Sequence, residues 1–168
     1  MKLNLGCGGH VAPEPWVNID RSLGSRGFPC HPDVIADVRE GLPYEDDSAD
    51  AIYCGHLLEH LELETVVPAL REMRRVLQPG GRFCVVGPDM DRATKDWPEM
   101  CESIWPGTLG EWSSWPGAGH QWCATATNSL ELIHQVFPEA REIPIAEAAA
   151  DTFWPAVSSL GWQFAVVA

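Results

Sequence analysis

The chain has 168 residues, with 11 Lys+Arg against 24 Asp+Glu and a formal net charge of −13. That length fits one domain, large enough to bury a core without staples. The dispersed acidic balance excludes broad nucleic-acid binding, because it repels phosphate backbones. No apolar run reaches the ~18 residues of a membrane span.

A strand is expected from residue 2, leaving no room for a signal peptide. Cys7, Cys30, Cys54, Cys84, Cys101 and Cys123 contain no C-x-x-C pair. Reduced thiols in a cytoplasmic protein are therefore expected. The 14 Pro and 15 Gly predict that loops take much of the length.

In chain order, residues 2–5 alternate and run into Gly6-Cys7-Gly8-Gly9, a strand and a tight loop. A second strand covers 16–19 and ends at Asp20. Gly24, Gly27, Pro29 and Pro32 make 21–33 a loop. Strands follow at 34–36, ending near Asp37, and at 51–54, with a polar turn over 42–50 between them. A short helix is expected over 56–63. A longer one is expected over 65–77, capped by Thr65, with Pro68 in its first turn. Its apolar stripe is Val67, Leu70, Met73, Val76 and Leu77, and Pro79-Gly80-Gly81 stops it. The run 82–87 is a fifth, strongly apolar strand. Residues 88–126 read as irregular and hold five of the eight Trp. A helix over 128–137 and strands over 141–145 and 161–167 complete the chain. Strands alternating with helices predict an α/β fold with a mostly parallel sheet.

Three features fall in order at successive strand ends. The G-x-G turn suits a backbone that bends sharply and approaches a ligand closely. Asp20 can accept both hydroxyls of a ribose, and Asp37 follows at the next strand end. Ligands of open α/β sheets bind at such ends, beside the switch point.

On these residues the chain resembles the class I S-adenosylmethionine-dependent methyltransferases, from Leu3 to about Asp89 and more weakly beyond. Leu3 to Gly8 resembles motif I, and Trp16 to Asp20 resembles motif II. Residues 42–50 are similar to the stretch before the family's fourth strand. Leu58-Glu59-His60-Leu61 and the run from Arg71 to Phe83 resemble its next helix, turn and strand. The resemblance implies a single Rossmann-like domain over 1–168, with a seven-stranded sheet whose last strand is antiparallel. It implies S-adenosylmethionine as cofactor. Gly6 and Gly8, with Asn4 and Cys7 around them, would lie at the methionine end. Asp20 would hold the ribose, and Asp37 and Val38 the adenine. Cys54, Gly55 and His56 would line the pocket.

The sequence also departs from the family. Asn4 stands where an acid is usual, and His10 takes the place of the third glycine. Only 11 residues separate Gly8 from Asp20, and they include Pro13 and Pro15. The usual helix hardly fits there, and 21–33 does not supply the next one. One sheet face is therefore expected to have abbreviated helices. An apolar face should not meet water, so either the Trp-rich insertion (88–126) or a second copy in a homodimer is expected to cover it.

His56-Leu57-Leu58-Glu59-His60 also matches H-x-x-E-H, an inverted zinc-peptidase pattern with Glu59 as base. It directly follows an apolar strand, where the resemblance already expects a Leu-Glu-His-Leu run, so no metal is expected. A nicotinamide site would need Gly at position 11, where Val11 stands. Trp97, Trp105, Trp112, Trp115 and Trp122 read as sheet cover or as an aromatic lid over an acceptor. His120 is the candidate general base, and Asp89 sits where the fold aims at the acceptor. The expected activity is methyl transfer to a small molecule. The alternative is a non-catalytic binding or regulatory protein with a degenerate cofactor site.

Overall fold

The computed structural model describes residues 1–25, 28–96, 120–155, 157 and 160–168. Its centre is a seven-stranded sheet built from β1 (Lys2–Leu5), β2 (Trp16–Asp20), β5 (Val34–Ile35), β6 (Ala49–Gly55), β7 (Leu77–Pro88), β8 (Arg141–Ile143) and β9 (Gln163–Val167). The order is β5-β2-β1-β6-β7-β9-β8. The five strands from β5 to β7 run parallel, and β9 is antiparallel to both its neighbours. The chain thus steps outward from β1 to β5, then crosses back to β6. The switch point lies between β1 and β6, at their carboxyl ends.

Period-two alternation divides the strand residues between two faces. Leu3, Leu5, Ile52, Phe83, Val85, Phe164 and Val166 join one core. Helices α1 (Leu63–Val76) and α3 (Ala126–His134) cover that face. Val66, Ala69, Leu70, Met73 and Val76 form the buried stripe of α1, at helical spacing. Glu72 and Arg75 of α1 hold the 42–46 loop by bonds to Leu42 N–H and to the carbonyls of Leu42 and Tyr44.

Ala51, Tyr53, Cys84, Val86 and Ala165 belong to the opposite core. No helix follows β1 there, and the described residues of 21–33 form only a two-stranded ribbon of β3 (Gly24–Ser25) and β4 (Phe28–Pro29). The expected abbreviation is present; of the Trp-rich stretch expected to cover it, Trp122 packs in the helical core instead, and described residues from other parts of the chain lie on this face. Trp16 and the segment carrying Phe153 and Trp154 close the face, helped by the short helix α4 (Ile145–Ala150). Trp154 lies 6.2 Å from Trp16 and 6.4 Å from Tyr53, ring centre to ring centre. Lys2 and Arg82 sit over Phe153 at 3.9 and 3.8 Å. Trp97, Trp105, Trp112 and Trp115 lie outside the described residues.

Several element boundaries differ from expectation. The helix expected over 56–63 is a single 3-10 turn, Leu58–His60, because His56 adopts a left-handed φ of 53°. Helix α1 begins two residues early, so Pro68 falls beyond its first turn and Thr65 is not its cap. Helix α3 also starts earlier, at Ala126, behind the cap residue Thr125, whose side chain forms a reciprocal capping box with Asn128. Helices α2 (Met90–Asp96) and α4 were unexpected. No helix among the described residues is long and apolar enough to cross a membrane.

Candidate active site

Strand register assembles the site. Leu5 pairs with Ile19 on one side and Cys54 on the other. Gly6, Asp20 and the Gly55-His56 step therefore emerge side by side at the sheet's carboxyl edge. Gly6 and Cys7 both donate to Ile19 O, at 2.9 and 3.1 Å, which folds the loop back on β2. Gly6 has φ 65°, and a Cβ there would stand 2.9 Å from Leu57 Cδ1. Gly8 has φ 49° but open space where a Cβ would point. The first glycine is thus required by packing and conformation, the second by conformation alone.

The loop borders a cavity of about 270 Å³. Gly6, Gly8, Asp20, Asp37, Val38 and His56 all line it, with Ile19, Leu42 and Leu61 as apolar wall. Asp20 is half-buried and accepts from Gly8 N–H at 3.0 Å and Ser22 N–H at 3.3 Å. Asp37 is clamped by Arg39, whose Nε and Nη2 donate at 2.9 and 2.6 Å. The Arg39 hydrogen bonds outweigh burial and hold the Asp37 carboxyl below the usual range. Arg39 also reaches Glu62 at 2.8 Å and lines the cavity itself.

Asn4 and Cys7 face a second cavity, of about 370 Å³, which also reaches Gly8 and His56. Asn4 is buried, and its amide donates to His10 O at 3.1 Å and Asn18 Oδ1 at 2.9 Å. Asn18 in turn binds both backbone groups of Ala12, and Asp33. Asn4 therefore anchors the loop that replaces the missing helix. Cys7 Sγ lies 3.6 Å from Cys30 Sγ, and burial pushes the Cys7 thiol up to about 12. Cys54 lines neither cavity; it is fully buried in the core beside α1.

His56 sits between the two cavities. Its Nδ1 lies 2.9 Å from Glu59 Oε1, and its Nε2 lies 2.5 Å from Gln163 Nε2. A proton on Nδ1 satisfies both contacts, with Gln163 donating. Glu59 is 2% exposed. Burial would raise its carboxyl, but the His56 hydrogen bond and the neighbouring His60 and His120 hold it below the usual range. The rings of His60 and His120 lie 4.9 Å apart, and burial pushes His120 down to about 4. His120 is thus a neutral but weakly basic imidazole at pH 7. Asp89 is buried at the start of α2, where it accepts from Asp91 N–H at 3.2 Å and pairs with Arg92 at 2.9 Å. It lines neither cavity.

Sequence reasoning missed Arg39 and Gln163, and weighed Glu59 only as the base of a zinc-peptidase pattern, not as the partner of His56. Gln163 had a signal: one amide in an otherwise apolar terminal strand needs a buried partner. Arg39 had none, since its role depends on the tertiary approach of Glu62.

Residues 3–85 match the family model described as a methyltransferase domain. Over 59 residues the chain is 42% identical to an uncharacterized 37.1 kDa protein in transposon TN4556 of Streptomyces fradiae, covering 35% of this chain and 16% of that one. Over 45 residues it is 44% identical to the probable methyltransferase ltbC of Aspergillus luteorubrus, covering 26% and 16%. The matched segments thus span about one-sixth of these relatives. A SAM-dependent methyltransferase of known structure from Archaeoglobus fulgidus superposes with a TM-score of 0.61 at 13% identity, covering 99% of this chain and 84% of that one. The domain match falls on the half that carries the glycine loop, and the superposition extends over the rest of the sheet. Residues 3–85 thus belong to the methyltransferase-domain family, and the chain has the fold of the class I S-adenosylmethionine-dependent methyltransferases.

Proposed function

We propose that the chain transfers a methyl group from S-adenosylmethionine to a small-molecule acceptor. The carrying observation is the 270 Å³ cavity at the switch point, bounded by the left-handed glycines and by the Asp20 carboxylate. The residues present fit this cofactor. Gly8 leaves open space beside the loop. Among the described residues, Gly8 and Ser22 N–H each take one oxygen of Asp20 and the Cys30 thiol lies against it, and a carboxylate's four acceptor sites leave room for ribose hydroxyls. Ile19, Val38, Leu42 and Leu61 offer an apolar slot for a purine. The cofactor supplies an activated sulfonium methyl, so the protein's task is alignment and exclusion of water. His56, fixed at both ring nitrogens, stands as a rigid wall between the cavities. The net charge of −13 favours a small acceptor over a nucleic acid.

Titration calorimetry with S-adenosylmethionine and S-adenosylhomocysteine tests the reading. Both should bind, and Asp20→Ala should weaken binding at least about tenfold, the loss of one charged hydrogen bond. No heat at millimolar ligand would overturn it. One observation favours the degenerate, non-catalytic reading: the Asp37 carboxylate is already occupied by Arg39. Tight cofactor binding without turnover across acceptor classes would support that alternative.

A further inference from the structure

We propose that Glu59, His60 and His120 form a binding site for a divalent transition-metal cation at the edge of the cofactor cavity. One carboxylate oxygen and two imidazole nitrogens, one per residue, all lie within 4.8 Å of one another. Zinc-like ions bind such ligands at about 2.0–2.2 Å, which places neighbouring ligand atoms roughly 3–4 Å apart. Sub-ångström rotamer adjustments therefore close the shell.

The cluster is held in place from several sides. Gln121 N–H donates to Glu59 O at 2.7 Å, and Trp122 Nε1 donates to Leu58 O at 3.0 Å. These two bonds bring His120 against a turn some 60 residues earlier in the chain. His56 holds Glu59 Oε1, an outer partner of the kind that orients a ligating carboxylate. Glu59 is almost fully buried, unlike the exposed acidic groups that gather without a metal. A buried carboxylate is stable when paired or when it coordinates a metal.

The donor set is two nitrogens and one oxygen. It suits zinc, cobalt, nickel or iron(II) over calcium or magnesium. Three protein ligands leave coordination positions open, the arrangement of a reactive site and not a closed structural one. His60 lines the cofactor cavity, so those positions border it. The set is not the H-x-x-E-H pair, because it takes the distant His120 in place of His56. A second cluster, Cys7, Asp20 and Cys30, competes poorly. Asp20 already serves the glycine loop, and burial keeps both thiols protonated.

The site is read without any methyl transfer, so it stands or falls apart from the proposed activity. The test uses the full chain, free of affinity tags and stripped with chelator, titrated with Co²⁺ and Zn²⁺. One ion per chain should bind, with visible cobalt bands. His120→Ala and His60→Ala should each weaken binding at least about 10–100-fold, while Cys7→Ser leaves it unchanged. Circular dichroism confirms that each variant is folded, and either histidine variant alone suffices if the other fails to fold. Absence of binding, unchanged affinity in a folded histidine variant, or a thiolate charge-transfer band that Cys7→Ser removes would overturn the proposal.

Discussion

On one face of the sheet, α1 and α3 lay Leu70, Met73 and Ile133 over strands carrying Leu3, Ile52 and Phe83. On the other, among the described residues, Trp16, Phe153 and Trp154 pack over the sheet beside a helix of six residues. The first solution spends backbone: 14 residues of α1 and nine of α3. The second spends side-chain area, since each buried aromatic covers about 150–250 Å². A face that lacks helices between β1 and β5 can therefore still be packed by aromatic side chains. The cofactor edge is unaffected, because strand register and not helix cover sets it.

The largest effects come from the helical face. Phe83 is fully buried and stacks on Phe137 with ring centres 4.2 Å apart. Phe83→Ala should cost near the top of the ~3–5 kcal/mol range for large aromatic truncations, read by urea denaturation. Trp154→Ala should fall near the bottom of that range if the aromatic layer is a true cover. A cost under about 1 kcal/mol would break the comparison. Light scattering on the same sample then becomes decisive, because a dimer mass would hand the cover to a second copy.

Next comes the device that pins the aromatic face's loop. Asn18 binds Ala12 N–H and C=O at 2.7 and 3.0 Å, and also takes the Asn4 amide. Asn18→Ala leaves those buried groups without their partner, at about 1–3 kcal/mol. Hydrogen exchange should then rise in residues 10–12 but not in α1. Equal loosening of both faces would show that the loop is not an independent cover.

The same contrast explains what could be read in the sequence. Strands alternate, so burial on either face left a period-two signature at Ile52/Cys54 and at Cys84/Val86. Helix α1 declared its stripe. The glycine loop, Asp20 and Asp37 were legible because each sits at a strand end. Asn4 looked like a weakened cofactor residue, yet its partners Asn18 and His10 make it an anchor. Nothing local distinguishes those roles. The Phe153-Trp154 cover was hidden for the same reason: aromatic residues after a short Ala-rich segment carry no periodicity. His56 broke the expected helix by entering the left-handed region, which non-glycine residues seldom adopt. Its partner Glu59 is three residues away, but Gln163 is 107 residues away, out of reach of any motif.

The smallest expected effect lies at the cavity rim, where neither face contributes. Arg39 holds Asp37 and Glu62 together, and both carboxyls lie below their usual range. Its hydrogen bonds dominate the shift of Asp37, whereas a backbone hydrogen bond is the larger cause for Glu62. Each folded-state value is thus lower than the unfolded one. The stabilisation is present above the unfolded values, about pH 4, and is lost as pH falls through the folded values. Arg39→Ala should therefore change stability at pH 7 by no more than about 1 kcal/mol, since the pair is partly solvated. It should also flatten the fall in Tm between pH 5 and 3, because Asp37 then titrates more nearly as it does in the unfolded chain. Wild-type and variant Tm curves that run parallel through that window would mean Arg39 does not hold Asp37 low. In that case the Asp37 carboxylate is more available to an adenine amino group than its clamped geometry implies, and the main argument for a degenerate cofactor site loses its support.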